Sequence, residues 1–188
     1  MARAATGDLM TITQKLIAAV LAATLSLTAS DAGAAGKSAA FPRLNPLLKA
    51  WLQKDLGAPD AAKERQAPTR AVSAAAAIST AKTEVFVYVT GGKACNLLGC
   101  TLLILEFNGQ AFTKVGQLTA LPPVRVIDGA YGDHPDLVVT GSADRVLVTF
   151  PVKLHFANGR YAPMAGKPNA GAGRLMIGPG DASEPVYR

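Results

Sequence analysis

The stretch that decides the fold is Thr101-Leu-Leu-Ile-Leu-Glu-Phe-Asn-Gly-Gln-Ala-Phe112. A run of apolar residues leads into Asn108-Gly109, and an aromatic residue follows shortly after it. Asn-Gly between two such runs is the strongest short-range signal for a β-hairpin, because a type I′ turn requires positive φ at both central residues. We therefore predict that Thr101 to Phe107 and Phe112 to Leu118 are antiparallel partners.

The same pattern returns near the end of the chain, in Leu154-His-Phe-Ala-Asn-Gly-Arg-Tyr161. Each copy has Leu-x-Phe before the turn and an aromatic residue after it, so the aromatics should pair across the two strands. Two copies could also reflect a duplicated unit, as in propeller blades. The simpler interpretation is mainly β, with a single antiparallel sheet or a small sandwich or meander over residues 83–163. Other strand-like runs are Glu84 to Thr90, Val124 to Ile127, Leu137 to Thr140, Arg145 to Phe150 and Val152 to Phe156.

One amphipathic helix is predicted before the sheet, within a segment of leader and helix at 35–57. Asn45 suits the N-cap, Pro46 the first helical position and Gly57 the end. Large apolar residues recur between them at helical spacing: Leu47, Leu48, Trp51, Leu52 and Leu56. A helix this short is marginal alone in water. We expect it to pack on the sheet, and the alternative is that Trp51 and its neighbours bind a partner.

Two further segments contain only weak signals for secondary structure. Residues 58–82 are rich in alanine and contain Pro59 and Pro68, which suggests a linker with at most a helical turn near Ala74 to Ile78. Residues 164–188 are rich in Gly, Pro and Ala, which suggests a flexible C-terminal tail in which only Arg174 to Ile177 could pair.

The N-terminal residues 1–34 have the features of a signal peptide. An apolar run of about 14 residues follows Lys15 and is too short for a membrane span, which needs about 20. Ala32-Gly33-Ala34 then matches the cleavage pattern of signal peptidase. We predict a periplasmic or secreted protein with no transmembrane span after cleavage. Translation could start at Met1 or at Met10.

The formal net charge is +6, and the basic residues are scattered instead of clustered. Nucleic acid is therefore not an expected partner. A basic protein outside the cytoplasm can contact an anionic envelope surface or an acidic protein, although the charge could equally serve solubility. The expected partner is an envelope or extracellular protein of unknown identity.

Cys95 and Cys100 are the only cysteines, separated by Asn-Leu-Leu-Gly. In an oxidising compartment such a pair predicts a disulfide, and a redox pair is less favoured because no helix follows to lower a thiol pKa. Leu97 and Leu98 would lie at the tip of the closed loop. They are candidate binding residues if they project, and they serve the fold if they pack back onto the sheet.

Signals for metal binding and catalysis are weak. Asp128, Asp133 and Asp136 could bind calcium, but the ligand spacing of a calcium loop is absent and turn formation explains them as well. Zinc would need His134 and His155 to join the cysteines; His134 is expected in a loop, and His155 should point outward from a strand. No catalytic residue and no cofactor is predicted.

The block from Cys95 to Tyr161 resembles small secreted proteobacterial proteins of uncharacterised function. The shared elements are Cys95 and Cys100, Thr101 to Leu103, Pro122 to Val126, Asp136-Leu137, and Phe-x-Asn-Gly-x-Tyr at Phe156 to Tyr161. This block covers roughly a third of the chain. The resemblance implies a similar fold and compartment, and no activity.

These observations predict a non-catalytic binding or accessory protein, with an inhibitor-type module as one form. Two alternatives stay open. The first is an envelope-associated hydrolase that uses the Asp128 to Asp136 loop. The second is an envelope structural protein, which an exposed apolar stripe on the helix would favour.

Overall fold

The computed structural model describes residues 44–77, 83–127, 134–142 and 148–187. This part of the chain is mainly β, as predicted, and holds two helices and ten strands. The helices are α1 (Pro46–Leu56) and α2 (Ala61–Gln66). The strands are β1 (Arg70–Ala77), β2 (Thr83–Thr90), β3 (Cys95–Asn96), β4 (Gly99–Phe107), β5 (Phe112–Ile127), β6 (Asp136–Ser142), β7 (Thr149–Ala157), β8 (Arg160–Pro163), β9 (Arg174–Ile177) and β10 (Glu184–Pro185). The predicted signal peptide, 1–34, lies outside the described residues.

The strands form one open antiparallel sheet in the order β10-β1-β2-β4-β5-β6-β7-β8. Strand β3 pairs with β4, and β9 pairs with β5. Strand β5 is 16 residues long and pairs with different strands along its length. Its first part pairs with β4 as far as Ala120, whereas Leu121 to Ile127 pairs with β6 and β9.

Both predicted hairpins are confirmed. Phe107 lies opposite Phe112, and the rings stack with centroids 4.6 Å apart. Phe156 lies opposite Tyr161, with centroids 5.2 Å apart. The turns differ, however. Asn158 has φ 53° and the following glycine φ 74°, as a type I′ turn requires. The first turn is longer, and Asn108 Oδ1 accepts hydrogen bonds from two later backbone N–H groups.

The central strands β2 and β4 are apolar on both faces, because large residues occupy consecutive positions that point in opposite directions. One face carries Phe86 and Ile104 and packs into an inner core with residues of β1, β5, β6, β7 and β9. The other face carries Val87 and Leu103 and packs into an outer core with α1. Both faces of these strands are therefore covered.

Helix α1 lies on the sheet, as expected. The side chain of Asn45 accepts a hydrogen bond from Leu47 N at 2.8 Å and caps the helix. Leu48 and Leu52 are buried in the outer core, while Trp51 is half-buried at its margin. Among the described residues, no helix is long and apolar enough to cross a membrane.

Of the predicted linker at 58–82, residues 58–77 are described, and for these the prediction is wrong. They contain α2, capped by Asp60, and strand β1, which lies inside the sheet between β10 and β2. Alanine has low β-propensity, so this strand could not be predicted from its residue types. The small side chains are nevertheless buried on both faces, with Ala71 in the outer core and Ala74 in the inner core.

The predicted flexible tail at 164–188 is also wrong, apart from the expectation that Arg174 to Ile177 could pair. Strand β9 pairs with β5 and β10 with β1. Met176, Ile177 and Val186 are fully buried. One glycine of this segment is required by packing, because a Cβ at Gly173 would lie 2.4 Å from Val126 O. The β-rich domain is therefore wider than 83–163.

We predict that Leu52→Ala lowers the free energy of unfolding by about 2–5 kcal/mol, because it leaves a cavity in the outer core. The matched control is Leu47→Ala on the same helix, where the side chain is 46% exposed. That change should stay within about 0.5 kcal/mol. Urea unfolding measures both, and equal effects of the two substitutions would contradict the packing of α1.

Candidate functional site

The cysteine hairpin projects from the end of the sheet next to β4. Cys95 lies opposite Cys100, and Asn96 opposite Gly99, in a two-residue pairing of β3 with β4. The two cysteines form a disulfide, as predicted. Gly99 has φ 139°, and a Cβ there would lie 2.4 Å from Ala120 O. Only glycine lets this turn approach β5 so closely.

The two leucines of the hairpin have different environments. Leu97 is 97% exposed, whereas Leu98 is half-buried. The backbone N–H of Leu98 donates to Asn96 Oδ1 at 2.8 Å, which fixes the turn. The sequence left open whether both leucines project or both pack back, and in the structure Leu97 projects alone.

Hydrogen bonds also hold the base of the hairpin. Thr101 donates two hydrogen bonds to Ala94 O, from its backbone N at 2.8 Å and from its Oγ1 at 3.0 Å. Together with the disulfide, these bonds hold both sides of the loop. The hairpin can therefore present Leu97 in a fixed position with little ordering on binding.

A second group of polar residues surrounds Asp136, the first residue of β6. Its Oδ1 lies 2.6 Å from His155 Nδ1, and its Oδ2 lies 2.8 Å from Lys153 Nζ. Burial raises the pKa of the Asp136 carboxyl, but the hydrogen bonds from Lys153 and His155 outweigh it and hold the pKa below its usual value. Asp136 is thus bound in a strand-to-strand ion pair, where the sequence suggested a turn or calcium.

The other candidate metal ligands form no metal-binding cluster among the described residues. Asp128 and Asp133 lie outside the described residues. Within the described ranges, no group of three or more His, Cys, Asp or Glu side chains is placed to hold a metal ion. His155 is partly exposed on its strand, consistent with the predicted orientation.

A third group of polar residues is buried, and it was not predicted from the sequence. The Glu84 side chain is 0% exposed, and its Oε1 accepts a hydrogen bond from the Tyr161 hydroxyl at 2.9 Å. His134 Nδ1 lies 3.3 Å from the same oxygen. His134 is only 8% exposed, because its ring packs 4.2 Å from that of Phe156. His134 therefore lies in a loop before β6, as expected, but it is buried there.

Burial is the main reason that the pKa of Glu84 is raised to about 7; the hydrogen bond from Tyr161 lowers it, and the charge of Glu106 on β4 raises it. Burial, followed by the nearby Glu84 charge, also raises the pKa of Tyr161. A signal for this group was present in the sequence. Glu84 alternates in phase with Phe86, so a strand that buries Phe86 must also turn Glu84 inward.

No protein-family model, curated protein or solved structure matches the chain. The resemblance to small secreted proteobacterial proteins therefore stays a prediction.

The Asp136 ion pair makes a testable contribution to stability. A carboxyl whose pKa is lowered by folding stabilises the protein above the pKa of the unfolded chain, near 3.8, and loses this effect as the pH falls. We predict that Asp136→Asn lowers the free energy of unfolding by about 1.5–3 kcal/mol at pH 7, the range for hydrogen bonds to charged groups. The difference from wild type should shrink on acidification below pH about 4.

Urea unfolding at several pH values measures this effect. The matched control is Asp55→Asn, which breaks a more exposed pair with Lys114. Its effect should be at most about 1 kcal/mol. A pH-independent difference between Asp136→Asn and wild type would contradict the assigned role of the carboxylate.

Proposed function

We propose that this chain is a non-catalytic binding or accessory protein of the periplasm or the extracellular space. It uses the Cys95–Cys100 hairpin to insert Leu97 into an apolar pocket of an envelope or extracellular protein. An inhibitor-type module is one form of this function. The exposure of Leu97 on a covalently closed turn is the observation that carries the proposal.

The degree of exposure distinguishes Leu97 from ordinary surface residues. Among the described residues, the other exposed large apolar side chains are 43–56% exposed, against 97% for Leu97; they are Leu47, Val148, Phe150 and Met164. Burying a leucine side chain gains about 1.5–3 kcal/mol, and Leu97 obtains almost none of this within its own chain. A partner pocket can supply it.

Rigidity favours the same function. A free loop must be ordered when it binds, at about 0.5–1.5 kcal/mol per immobilised side chain. Here the disulfide and the bonds from Thr101 to Ala94 O hold the backbone before binding. Lys93 is exposed just before the hairpin, and the chain carries a net charge of +6, so an acidic rim around the partner's pocket would suit this surface.

Neither alternative gains support. The hydrolase depends on the Asp128 to Asp136 loop, and both oxygens of Asp136 are bound by Lys153 and His155. The envelope structural protein was favoured by an exposed apolar stripe on α1, but Leu48 and Leu52 are buried in the outer core.

Photo-crosslinking tests the proposed surface. A benzophenone amino acid is placed at position 97 and, as the control, at Gln110, an exposed position in the turn at the other end of β4. In intact cells that produce the protein, we expect a discrete adduct from position 97 and none from position 110. Purified wild-type protein should compete the adduct away, and the Leu97→Asp variant should not. Identical adducts from both positions, or none from position 97, would contradict the proposal.

The proposed compartment has a separate test. Protein recovered from the periplasm or the medium should begin near Ala35, and non-reducing peptide mapping should find Cys95 linked to Cys100. Exported protein that retains residues 1–34, or that has free thiols at both cysteines, would count against an oxidising compartment reached by a cleaved signal.

A further inference from the structure

The Tyr161 hydroxyl lies between two oxygen atoms that can both accept its proton. Its oxygen is 2.9 Å from Glu84 Oε1 and 3.0 Å from Pro135 O. A phenol carries one proton, and a peptide carbonyl carries none. Each contact is a full hydrogen bond when Glu84 is a neutral acid that donates to Tyr161 while Tyr161 donates to Pro135 O. A Glu84 carboxylate leaves the two oxygens to share the single phenol proton.

The surroundings of Glu84 favour this neutral form. Its side chain is fully buried, and burial disfavours a carboxylate. Glu106 faces it directly from β4, where the two residues are paired in register. Ala76 on β1, its other neighbour in the sheet, is uncharged.

The remaining titratable neighbours come from the second half of the sheet. Tyr161 lies on β8, and Asp136 on β6 raises the pKa of this tyrosine by its negative charge. His134, just before β6, has its Nδ1 3.3 Å from Glu84 Oε1. A proton on His134 would favour the Glu84 carboxylate, so histidine titration has to be separated from Glu84 titration in any test.

The bonds of Tyr161 join three parts of the fold. Glu84 belongs to β2, Pro135 to the segment before β6, and Tyr161 to β8. Strand β8 has four residues and ends the strand order of the sheet, where it pairs with β7. A short strand at the edge of a sheet has few contacts, and regions with few contacts open at low free energy. The Tyr161 hydroxyl thus connects a weakly held hairpin to the central strands through its hydrogen bonds.

We propose that Glu84, Tyr161 and Pro135 O form a proton-operated latch. The neutral acid holds the β7–β8 hairpin and the dipeptide His134-Pro135 against the inner core, and loss of one proton from Glu84 releases them. When Glu84 is ionised, Tyr161 donates to the carboxylate, and its oxygen then faces Pro135 O without a proton between them. The buried carboxylate also faces Glu106, and water entering this end of the core relieves both conflicts.

The direction of the pH effect follows from the raised pKa of Glu84. The unfolded carboxyl ionises near 4.5, while in the folded protein the proton stays until about 7. The stabilising effect of the latch is therefore complete below pH 4.5, declines as the pH rises and is lost above about 7. This behaviour does not depend on the function proposed for the cysteine hairpin.

Hydrogen–deuterium exchange of the full mature chain tests the latch. After correction for intrinsic exchange rates, we expect peptides covering 134–142 and 154–163 to exchange about tenfold faster at pH 8 than at pH 6. The stabilisation falls about tenfold per pH unit up to the folded pKa of Glu84, about 7, and changes little above it. Peptides from the first hairpin, near Phe107 to Phe112, should show no such excess.

Four variants separate the latch from other causes. Glu84→Gln keeps a neutral donor next to Tyr161 and should remove the excess exchange, while Tyr161→Phe should give fast exchange at both pH values. His134→Gln removes the histidine and should keep the pH dependence. Asp55→Asn, a carboxylate outside the cluster, should behave as wild type.

Excess exchange that persists in Glu84→Gln, or that disappears in His134→Gln, would overturn the proposal. A second measurement covers the case in which Glu84→Gln fails to fold. The carboxyl carbon of Glu84, followed by NMR in the wild-type protein, should titrate near pH 7. A midpoint near 4.5 would equally overturn the latch.

Discussion

The structure depends on one constraint: strands β2 and β4 are apolar on both faces. Residues such as Phe86 and Val87 are neighbours in sequence, both are fully buried, and they point to opposite sides of the sheet. A sheet of this kind cannot leave either face in water, since each buried side chain of this size is worth about 1.5–3 kcal/mol. Two separate layers have to cover it.

The rest of the fold supplies these layers. On the outer side, Leu48 and Leu52 of α1 close the core, and Gln53 of the same helix donates to Val186 O at 2.7 Å. The two ends of the described chain therefore hold each other in place. On the inner side, the length of β5 lets the chain continue past β4 and bring β6, β7 and β9 over the same strands.

The candidate sites follow from this arrangement. Cys100, at the base of the Cys95–Cys100 hairpin, packs against the inner core, whereas the exposed Leu97 at the tip belongs to neither core. The disulfide and the bonds from Thr101 hold the backbone of the hairpin. Leu97 is consequently free to project. Glu84 is the opposite case. Its position in phase with Phe86 places a carboxyl inside the inner core, and the fold accommodates it with the Tyr161 hydroxyl of β8.

Local patterns in the sequence predicted those features that depend on local physical chemistry. The Asn-Gly hairpins, the cap at Asn45 and the short loop between the cysteines each act over a few residues, and each formed as predicted. Only the Asn158-Gly159 turn, however, has the type I′ conformation. Strands β1 and β10 were not predicted, and β9 was predicted only as a segment that could pair. Alanine and glycine carry little strand preference, and these strands form only when a partner is present. The burial of His134 and Glu84 likewise depends on contacts between distant elements, such as that between Glu84 and Tyr161.

The position of Leu97 at a turn was predictable from the sequence, but its exposure was not. The sequence placed Leu97 and Leu98 together at a turn, but their separation into an exposed and a half-buried side chain depends on the Asx bond from Leu98 N to Asn96 and on the approach of Gly99 to β5.

Methyl NOE spectroscopy tests the two-core arrangement most directly. We expect the methyl groups of Leu48 and Leu52 to show NOEs to Val87 or Leu103, and those of Ile104 to show NOEs to residues of β6 or β9 such as Met176. NOEs from Leu52 that stay within α1, or contacts of Ile104 and Leu103 with the same layer, would contradict the coverage of β2 and β4 on opposite faces.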